Sequence, residues 1–428
     1  MQREIAFRRL LNIWAVLAEG LGMSDQSPRS LYLILDGLPR YAVDSDVAPF
    51  VCTGTGSDFA IRPMRTILGY SLSLYCSMWT GAFPDQHGVF TEFYLNPRDG
   101  RIRPGDLFAL LPRSSIRRSL LGFCRFLTNR LGLSMIDFLG LPPFASRSFE
   151  RWPASYHRLP PVNLPEWPDA GQRMAEVGHS WSYKYIEGRP SGRELALRTM
   201  TELATSRTLF LYFPITDKWA HALGPTSPEY RDQLRRLDTA LEHCVAEVQR
   251  KFARLSLFVL SDHGNAPTKK SVDVWSVIDS TFNRKECPLF FVNSTLVLVW
   301  SSSDSTRDKV RDALEDLHCG AFLGLSDYRR FRIPTDQRYG NFAFLANEGV
   351  EFVPNFLSPF NFPSKGMHGY DPAHRAMDGI IAGPIERIKD VAGPTDVYRL
   401  VLLNAAASQQ FSIQGINATT SGKPTAGS

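Results

Sequence analysis

Four short stretches of the chain set acids and imidazoles beside glycine or one helical turn apart: Asp36-Gly37, Asp217 with His221, Asp262-His263-Gly264, and His368-Gly369-Tyr370-Asp371. Carboxylate oxygen and imidazole nitrogen are borderline ligands that suit zinc, manganese or iron. Asp217 and His221 are four residues apart, so both can lie on one helix face and meet one ion. Asp262 and His263 are adjacent; in a strand they would point to opposite faces, and they can converge only from a loop past its end. Gly37, Gly264 and Gly369 permit tight backbone at each turn. Six such ligands, Asp36, Asp217, His221, Asp262, His263 and His368, are too many for one tetrahedral ion and suit two. Taken singly, each motif also has an ordinary structural reading: a helix N-cap, an exposed helical pair, a polar turn. The conjunction is what points to a site.

The elements that must position these residues are legible as runs. Leu31–Leu35, Thr208–Phe213, Ser256–Leu260 and Thr295–Trp300 are short, apolar and continuous, as expected for buried strands of a parallel sheet covered on both faces. Across Glu229–Phe252, Tyr230, Leu234, Leu237, Leu241, Val245 and Val248 recur at three- and four-residue steps, which predicts an amphipathic helix. Strands alternating with helices predict an open, doubly wound, mostly parallel α/β sheet with helices on both faces. Three of the strands run directly into an acidic motif, and ligands of such sheets sit outside the carboxyl ends of the strands.

The chain has 428 residues, 43% hydrophobic and 21% charged, which excludes a mainly disordered protein. Its 48 basic and 43 acidic residues leave a formal charge of +5, too thin a surplus to make nucleic acid the expected partner. Six cysteines are scattered without a C-x-x-C pair, and a reduced, cytoplasmic setting is the plainer reading. The alternative, a secreted or periplasmic chain, rests on Arg3, Arg8 and Arg9 ahead of apolar Leu10–Ala18, the outline of a signal peptide, with Glu4 and Glu19 against it. Residues 1–29 are read as a leader, a candidate amphipathic helix, residues 30–404 as the catalytic domain, and residues 405–428, small and polar, as a disordered tail. Within the domain, residues from about 101 to 190 break the rhythm with an arginine-punctuated stretch and then a Pro- and Trp-rich one, and are read as an inserted cap. Its basic helix would either dock on the core with solvated arginines or touch a membrane surface, a glycan or an anionic substrate.

Between Asp36 and the next strand lies Ser71-Leu72-Ser73-Leu74-Tyr75-Cys76-Ser77-Met78-Trp79-Thr80-Gly81, followed by Pro84-Asp85-Gln86-His87-Gly88. With these residues and the ligand motifs in the same order, the chain resembles the alkaline phosphatase superfamily, and most closely its type I phosphodiesterase/nucleotide pyrophosphatase branch. That branch places a Thr or Ser nucleophile at a helix start nine residues before Thr-Gly, which here gives Ser71; Ser73 lacks the spacing. The resemblance implies one divalent ion on Asp217, His221 and His368. It implies a second on Asp36, Asp262, His263 and the Ser71 oxygen, with zinc expected and manganese or iron as alternatives. It also implies hydrolysis of a phosphate-ester small molecule by in-line attack of Ser71 through a phosphoseryl intermediate. His87 is read as part of a structural turn. The branch usually has Asn three residues after the nucleophile and Lys before it; here these are Leu74 and Tyr70, which leaves the metal chemistry intact and nucleotide specificity open. A sulfatase would need C-x-P-x-R, which is absent. A phosphatase or a phosphotransferase of the phosphoethanolamine type shares the first half-reaction, and a catalytically silent binding protein would be expected to have lost a ligand.

Overall fold

The computed structural model describes residues 27–54, 56–95, 149–151, 164, 166–282, 286–355 and 363–420. Its centre is a six-stranded sheet ordered Phe59–Met64, Gly379–Pro384, Leu255–Leu260, Arg29–Leu35, Thr208–Phe213, Trp181–Tyr185. Arg29–Leu35 lies between Thr208–Phe213 and Leu255–Leu260 and is parallel to both, with Leu31 opposite Leu209 on one side and Leu257 on the other. Gly379–Pro384 is antiparallel to both its neighbours. The fold is therefore α/β with a mostly parallel central sheet.

The continuous apolar runs are explained by burial on both faces. Leu31, Leu33 and Leu35 point to one side, into a core shared with Leu195 and Leu203 of the helix Gly192–Thr205 and Leu234, Leu241 and Val245 of Pro228–Lys251. Tyr32 and Ile34 point to the other, against Leu72, Tyr75 and Trp79 of Ser71–Thr80 and Leu400 and Val401 of Pro394–Thr420. Tyr32 is stacked between Phe210 and Phe258 on the flanking strands, at 4.8 and 4.7 Å. The helix predicted over residues 229–252 runs from Pro228 to Lys251, with Ser227 capping its first turn through the Tyr230 N–H.

Three expectations change. The run Thr295–Trp300 supplies the strand Leu296–Trp300, but in a second, antiparallel sheet ordered Leu289–Val292, Leu296–Trp300, Phe342–Ala346, Gly320–Leu323. An apolar run buried on both faces reads the same in either kind of sheet, so composition could not tell them apart. Part of the stretch read as an insertion is integral to the main sheet: Ala170–Glu176 is a helix with Met174 buried in the core, and Trp181–Tyr185 is the edge strand parallel to Thr208–Phe213. At this edge Trp181 and Tyr185 are only half-buried and Lys184 is exposed, with Tyr183 alone buried, which hid the strand pattern. The expected arginine-rich helix falls among residues 101–148, outside the described residues, as do residues 1–26 of the leader read over 1–29, whose last residue, Arg29, opens the first strand. Finally, the helix Pro394–Thr420 continues through most of the segment read as a disordered tail. At the start of that segment Ala405 is buried, the Ser408 hydroxyl donates to the Asn404 carbonyl, and Ala405, Ala406 and Ala407 favour helix. Among the described residues no helix is long and apolar enough to cross a membrane.

Two buried polar groups brace the elements around the site. Asp238, on the long helix, accepts hydrogen bonds from the Phe50 and Val51 N–H groups at 3.0 and 2.9 Å and so caps the helix Pro49–Thr53 from outside. Burial outweighs these two bonds and pushes its pKa up to about 6. His87 accepts from the Val89 N–H at Nδ1 and therefore donates from Nε2 to the Ser77 hydroxyl at 3.0 Å, tying the turn after Ser71–Thr80 back to that helix. Burial, reinforced by the nearby Arg338 cation, pulls the His87 pKa down to about 3.

Replacing Asp238 by Ala leaves two buried N–H groups unpaired and is expected to cost about 2 kcal/mol in urea unfolding, with Asp238→Asn costing less; unchanged stability in Asp238→Ala would contradict the cap. Because His87 is neutral when folded, its contribution is complete above its ordinary pKa of 6.5 and is lost as pH falls from there toward 3. Between pH 7.5 and 5.0 the wild type should lose about 2 kcal/mol more than His87→Asn, since each pH unit below 6.5 is worth about 1.4 kcal/mol. Parallel losses in the two proteins would show that His87 is not held neutral.

Candidate metal centre and nucleophile

Each predicted ligand sits just beyond a strand of the main sheet or on a loop drawn to it. Asp36 follows Arg29–Leu35, and its N–H continues the ladder to the Phe213 carbonyl. Asp217 and His221 lie on the helix Ile215–Leu223, which begins two residues after Thr208–Phe213. Their spacing does what was expected of it: His221 Nε2 is 3.1 Å from Asp217 Oδ2. Asp262 and His263 follow the end of Leu255–Leu260 and both turn inward, with His263 Nε2 3.4 Å from Asp262 Oδ2. His368 arrives from a distant loop because Gly366–Met367 pairs with Ala266–Pro267, immediately after the Asp262 loop.

The side chains converge as two adjoining groups. Asp36, Asp262 and His263 form one; Asp217, His263 and His368 form the other, the donor atoms within each lying inside 4.8 Å of one another. His221 flanks the second through Asp217. His263 thus lies between the groups rather than in one alone, and its ring stacks on His368 at 3.9 Å. Gly37 shows why a glycine is required at the first turn: its φ is +61°, and a Cβ there would sit 2.6 Å from Asp217 Oδ1 and 3.0 Å from the His263 ring. Gly264 is needed for a different reason, since a Cβ would meet the Ala376 carbonyl at 2.1 Å.

Ser71 is the first residue of Ser71–Thr80, and its hydroxyl lies 3.1 Å from His263 Nε2 and 3.5 Å from Asp36 Oδ1. His263 donates from Nδ1 to the Gly264 carbonyl at 2.7 Å, so in the neutral ring Nε2 faces the site as a lone pair. His221 is oriented in the same way, Nδ1–H to the Gly366 carbonyl at 2.7 Å. Ser73 is fully buried and turned away: its hydroxyl donates to the Tyr70 carbonyl and accepts from the Tyr70 N–H. Helix phase therefore separates two serines that sequence spacing alone had ranked.

The electrostatics are those of a crowded anionic pocket. Burial, with Asp262 and Asp217 close by, pushes the Asp36 carboxyl well above the usual carboxylate range. Burial likewise carries Asp262 up to about 7. At Asp217 burial works in the same direction, but His221, His368 and His263 overcome it and hold the carboxyl low. In return Asp217 outweighs the cost of burial at His221 and lifts it to about 9, while burial and the neighbouring His263 drive His368 well below the imidazole range. Asp262 Oδ2 and His368 Nδ1 are buried without a hydrogen-bond partner. Three carboxylates, three imidazoles and a carboxylate oxygen without a hydrogen bond, the carboxylates ion-paired among the described residues only to histidines, fit divalent cations.

Two supporting residues escaped the sequence reading. The Tyr212 hydroxyl donates to Asp36 Oδ2 at 2.5 Å, leaving Oδ1 toward Ser71. The Asn265 side-chain amide, itself fully buried, donates to Asp217 Oδ1 at 3.3 Å. Tyr212 sits one residue from the carboxyl end of its strand, and Asn265 directly follows the Asp262-His263-Gly264 motif; position relative to the ligands was the available signal.

Murine ectonucleotide pyrophosphatase/phosphodiesterase 5, solved as an inactive variant in complex with AMP, superposes with a TM-score of 0.58 at 15% identity, covering 89% of this chain and 95% of that one. The human protein gives 0.57 at 14% identity, with 88% and 95% covered. In sequence, human ectonucleotide pyrophosphatase/phosphodiesterase family member 7 is 29% identical over 137 residues, 31% of this chain; the match spans 29% of that relative's own length. The family model described as type I phosphodiesterase / nucleotide pyrophosphatase matches residues 152–371, just over half of the chain, and the chain belongs to that family.

Proposed function

We propose that the protein is a metal-dependent phosphoric ester hydrolase of the phosphodiesterase/nucleotide pyrophosphatase type, with Ser71 as nucleophile. The observation that carries this reading is the placement of the Ser71 hydroxyl against His263 and Asp36, at the edge of two adjoining donor groups. Asp217, His221 and His368 would hold one divalent ion, and Asp36, Asp262 and His263 with the Ser71 oxygen the other, zinc being the best match to the donors and manganese or iron the alternatives. When bound, such ions supply Lewis acidity, lowering the pKa of a serine hydroxyl and offsetting charge on phosphate oxygens.

The chain's own contributions are positional. Ser71 Oγ forms a bond to phosphorus as the bond to the departing oxygen, in line on the far side, breaks; water then cleaves the phosphoseryl ester and restores the hydroxyl. Ser71 opens a helix whose first intrahelical bond is Leu74 N–H to the Tyr70 carbonyl, so the N–H groups before it point toward the anion's side of the helix terminus. Leu74 is buried and offers no donor to a non-bridging oxygen, which leaves these backbone groups to fill that role. The expected substrate is a small phosphate diester, a nucleotide or a related ester. Residues 30–404 would constitute the catalytic domain.

On bis(4-nitrophenyl) phosphate, Ser71→Ala should lose at least about 1,000-fold in kcat, whereas Ser73→Ala should retain turnover. A dead Ser73→Ala beside an active Ser71→Ala would move the nucleophile. Dialysis against a chelator should abolish activity and zinc or manganese should restore it; full activity in metal-free protein would remove the metal-dependent reading.

A further inference from the structure

The three histidines of the centre are not held alike. His221 and His263 each donate from Nδ1 to a backbone carbonyl, which fixes the ring and aims Nε2. His368 Nδ1 is buried and has no hydrogen-bond partner, so nothing of that kind orients its ring. Around it, besides the His263 stack at 3.9 Å and the His221 ring at 5.3 Å, packs Tyr70, edge-on at 5.7 Å between ring centroids.

Tyr70 is itself anchored by Thr295. The Tyr70 hydroxyl and Thr295 Oγ1 are 2.8 Å apart, and the Thr295 N–H reaches the same phenol oxygen at 3.3 Å. Thr295 Oγ1 in turn donates to the Gly369 carbonyl at 2.9 Å, with the His368 carbonyl at 3.3 Å. One set of protons satisfies the chain: the phenol donates to Thr295 Oγ1, whose own hydrogen goes to Gly369. The packing leaves no slack. Gly369 has φ +86°, and a Cβ there would lie 2.8 Å from Thr295 Oγ1 and 3.0 Å from the Tyr70 ring. Tyr70 also immediately precedes Ser71 and accepts the first bond of its helix.

We infer that Tyr70, together with Thr295, is a positioning residue that sets the His368 loop and ring relative to Ser71, in place of the side-chain hydrogen bond that the other two histidines have. The inference rests on the two-ion reading above. Its consequence is local: loss of the phenol hydroxyl loosens His368 and with it one of the two cation sites, while Asp36 and Asp262 keep theirs. Removing a partner that orients a metal ligand typically weakens the metal about 10- to 100-fold.

The test is competition between the full chain and a chromophoric chelator for zinc, read as two dissociation constants. Tyr70→Phe and Thr295→Val should each weaken one zinc about tenfold or more and leave the other unchanged, and Thr295→Ser, which keeps the hydroxyl, should match the wild type. In a His368→Ala background, Tyr70→Phe should add nothing further, because it acts through that ring. A wild type that binds two zinc ions and a folded Tyr70→Phe that binds both equally well would overturn the inference alone, as would equal weakening of both ions. A wild type that binds no zinc would overturn the two-ion reading and the inference with it. If Tyr70→Phe does not fold, the contrast between Thr295→Val and Thr295→Ser decides the matter by the same constants.

Discussion

Mutual repulsion among Asp36, Asp217 and Asp262 is the constraint on which the rest depends. Three carboxylates are gathered in a buried space where ionised groups are costly, and among the described residues their ion pairs are with histidines rather than with lysine or arginine. Instead the neighbouring groups divide the load: two carboxyls are drawn toward protonation while His221 gains affinity for a proton from Asp217. Such an arrangement contributes little to folding. It is the arrangement expected where cations are to take over the balance, and it explains why an acid oxygen can remain buried without a hydrogen bond.

The sheet makes the crowding achievable. Parallel strands end on the same edge, so Arg29–Leu35, Thr208–Phe213 and Leu255–Leu260, adjacent in the sheet, deliver Asp36, the Asp217 helix and the Asp262 loop side by side. Their rigidity comes from cores on both faces. The short pairing of Gly366–Met367 with Ala266–Pro267 then brings His368 across from a loop remote in sequence. Hydrogen bonds from Tyr212 and Asn265 to ligand carboxylates limit the freedom that remains.

The sequence made visible those features that depend on local pattern. Three buried runs followed by acid motifs were enough to place Asp36, Asp217, Asp262 and His263 on one edge, and a four-residue step was enough to join Asp217 to His221. Contacts set by tertiary structure were not visible. The edge strand Trp181–Tyr185 buries only Tyr183, lies beside a Pro-rich stretch and so lacks the buried-run signature. Leu296–Trp300 has that signature yet belongs to the antiparallel sheet. Spacing within the resemblance favoured Ser71 over Ser73, but that the Ser73 hydroxyl turns back onto Tyr70 depends on the phase of the helix. Tyr212 bonds across 176 residues and Tyr70 across 225, distances at which a single sequence has no record of pairing.

The central claim is that six side chains from four separate segments form a two-cation centre beside Ser71. Crystals soaked in zinc and measured at the zinc absorption edge test it most directly. The account predicts two anomalous peaks, one bounded by Asp217, His221 and His368 and the other by Asp36, Asp262 and His263 near the Ser71 hydroxyl. Peaks confined to other parts of the surface, with these side chains bound to none, would contradict it.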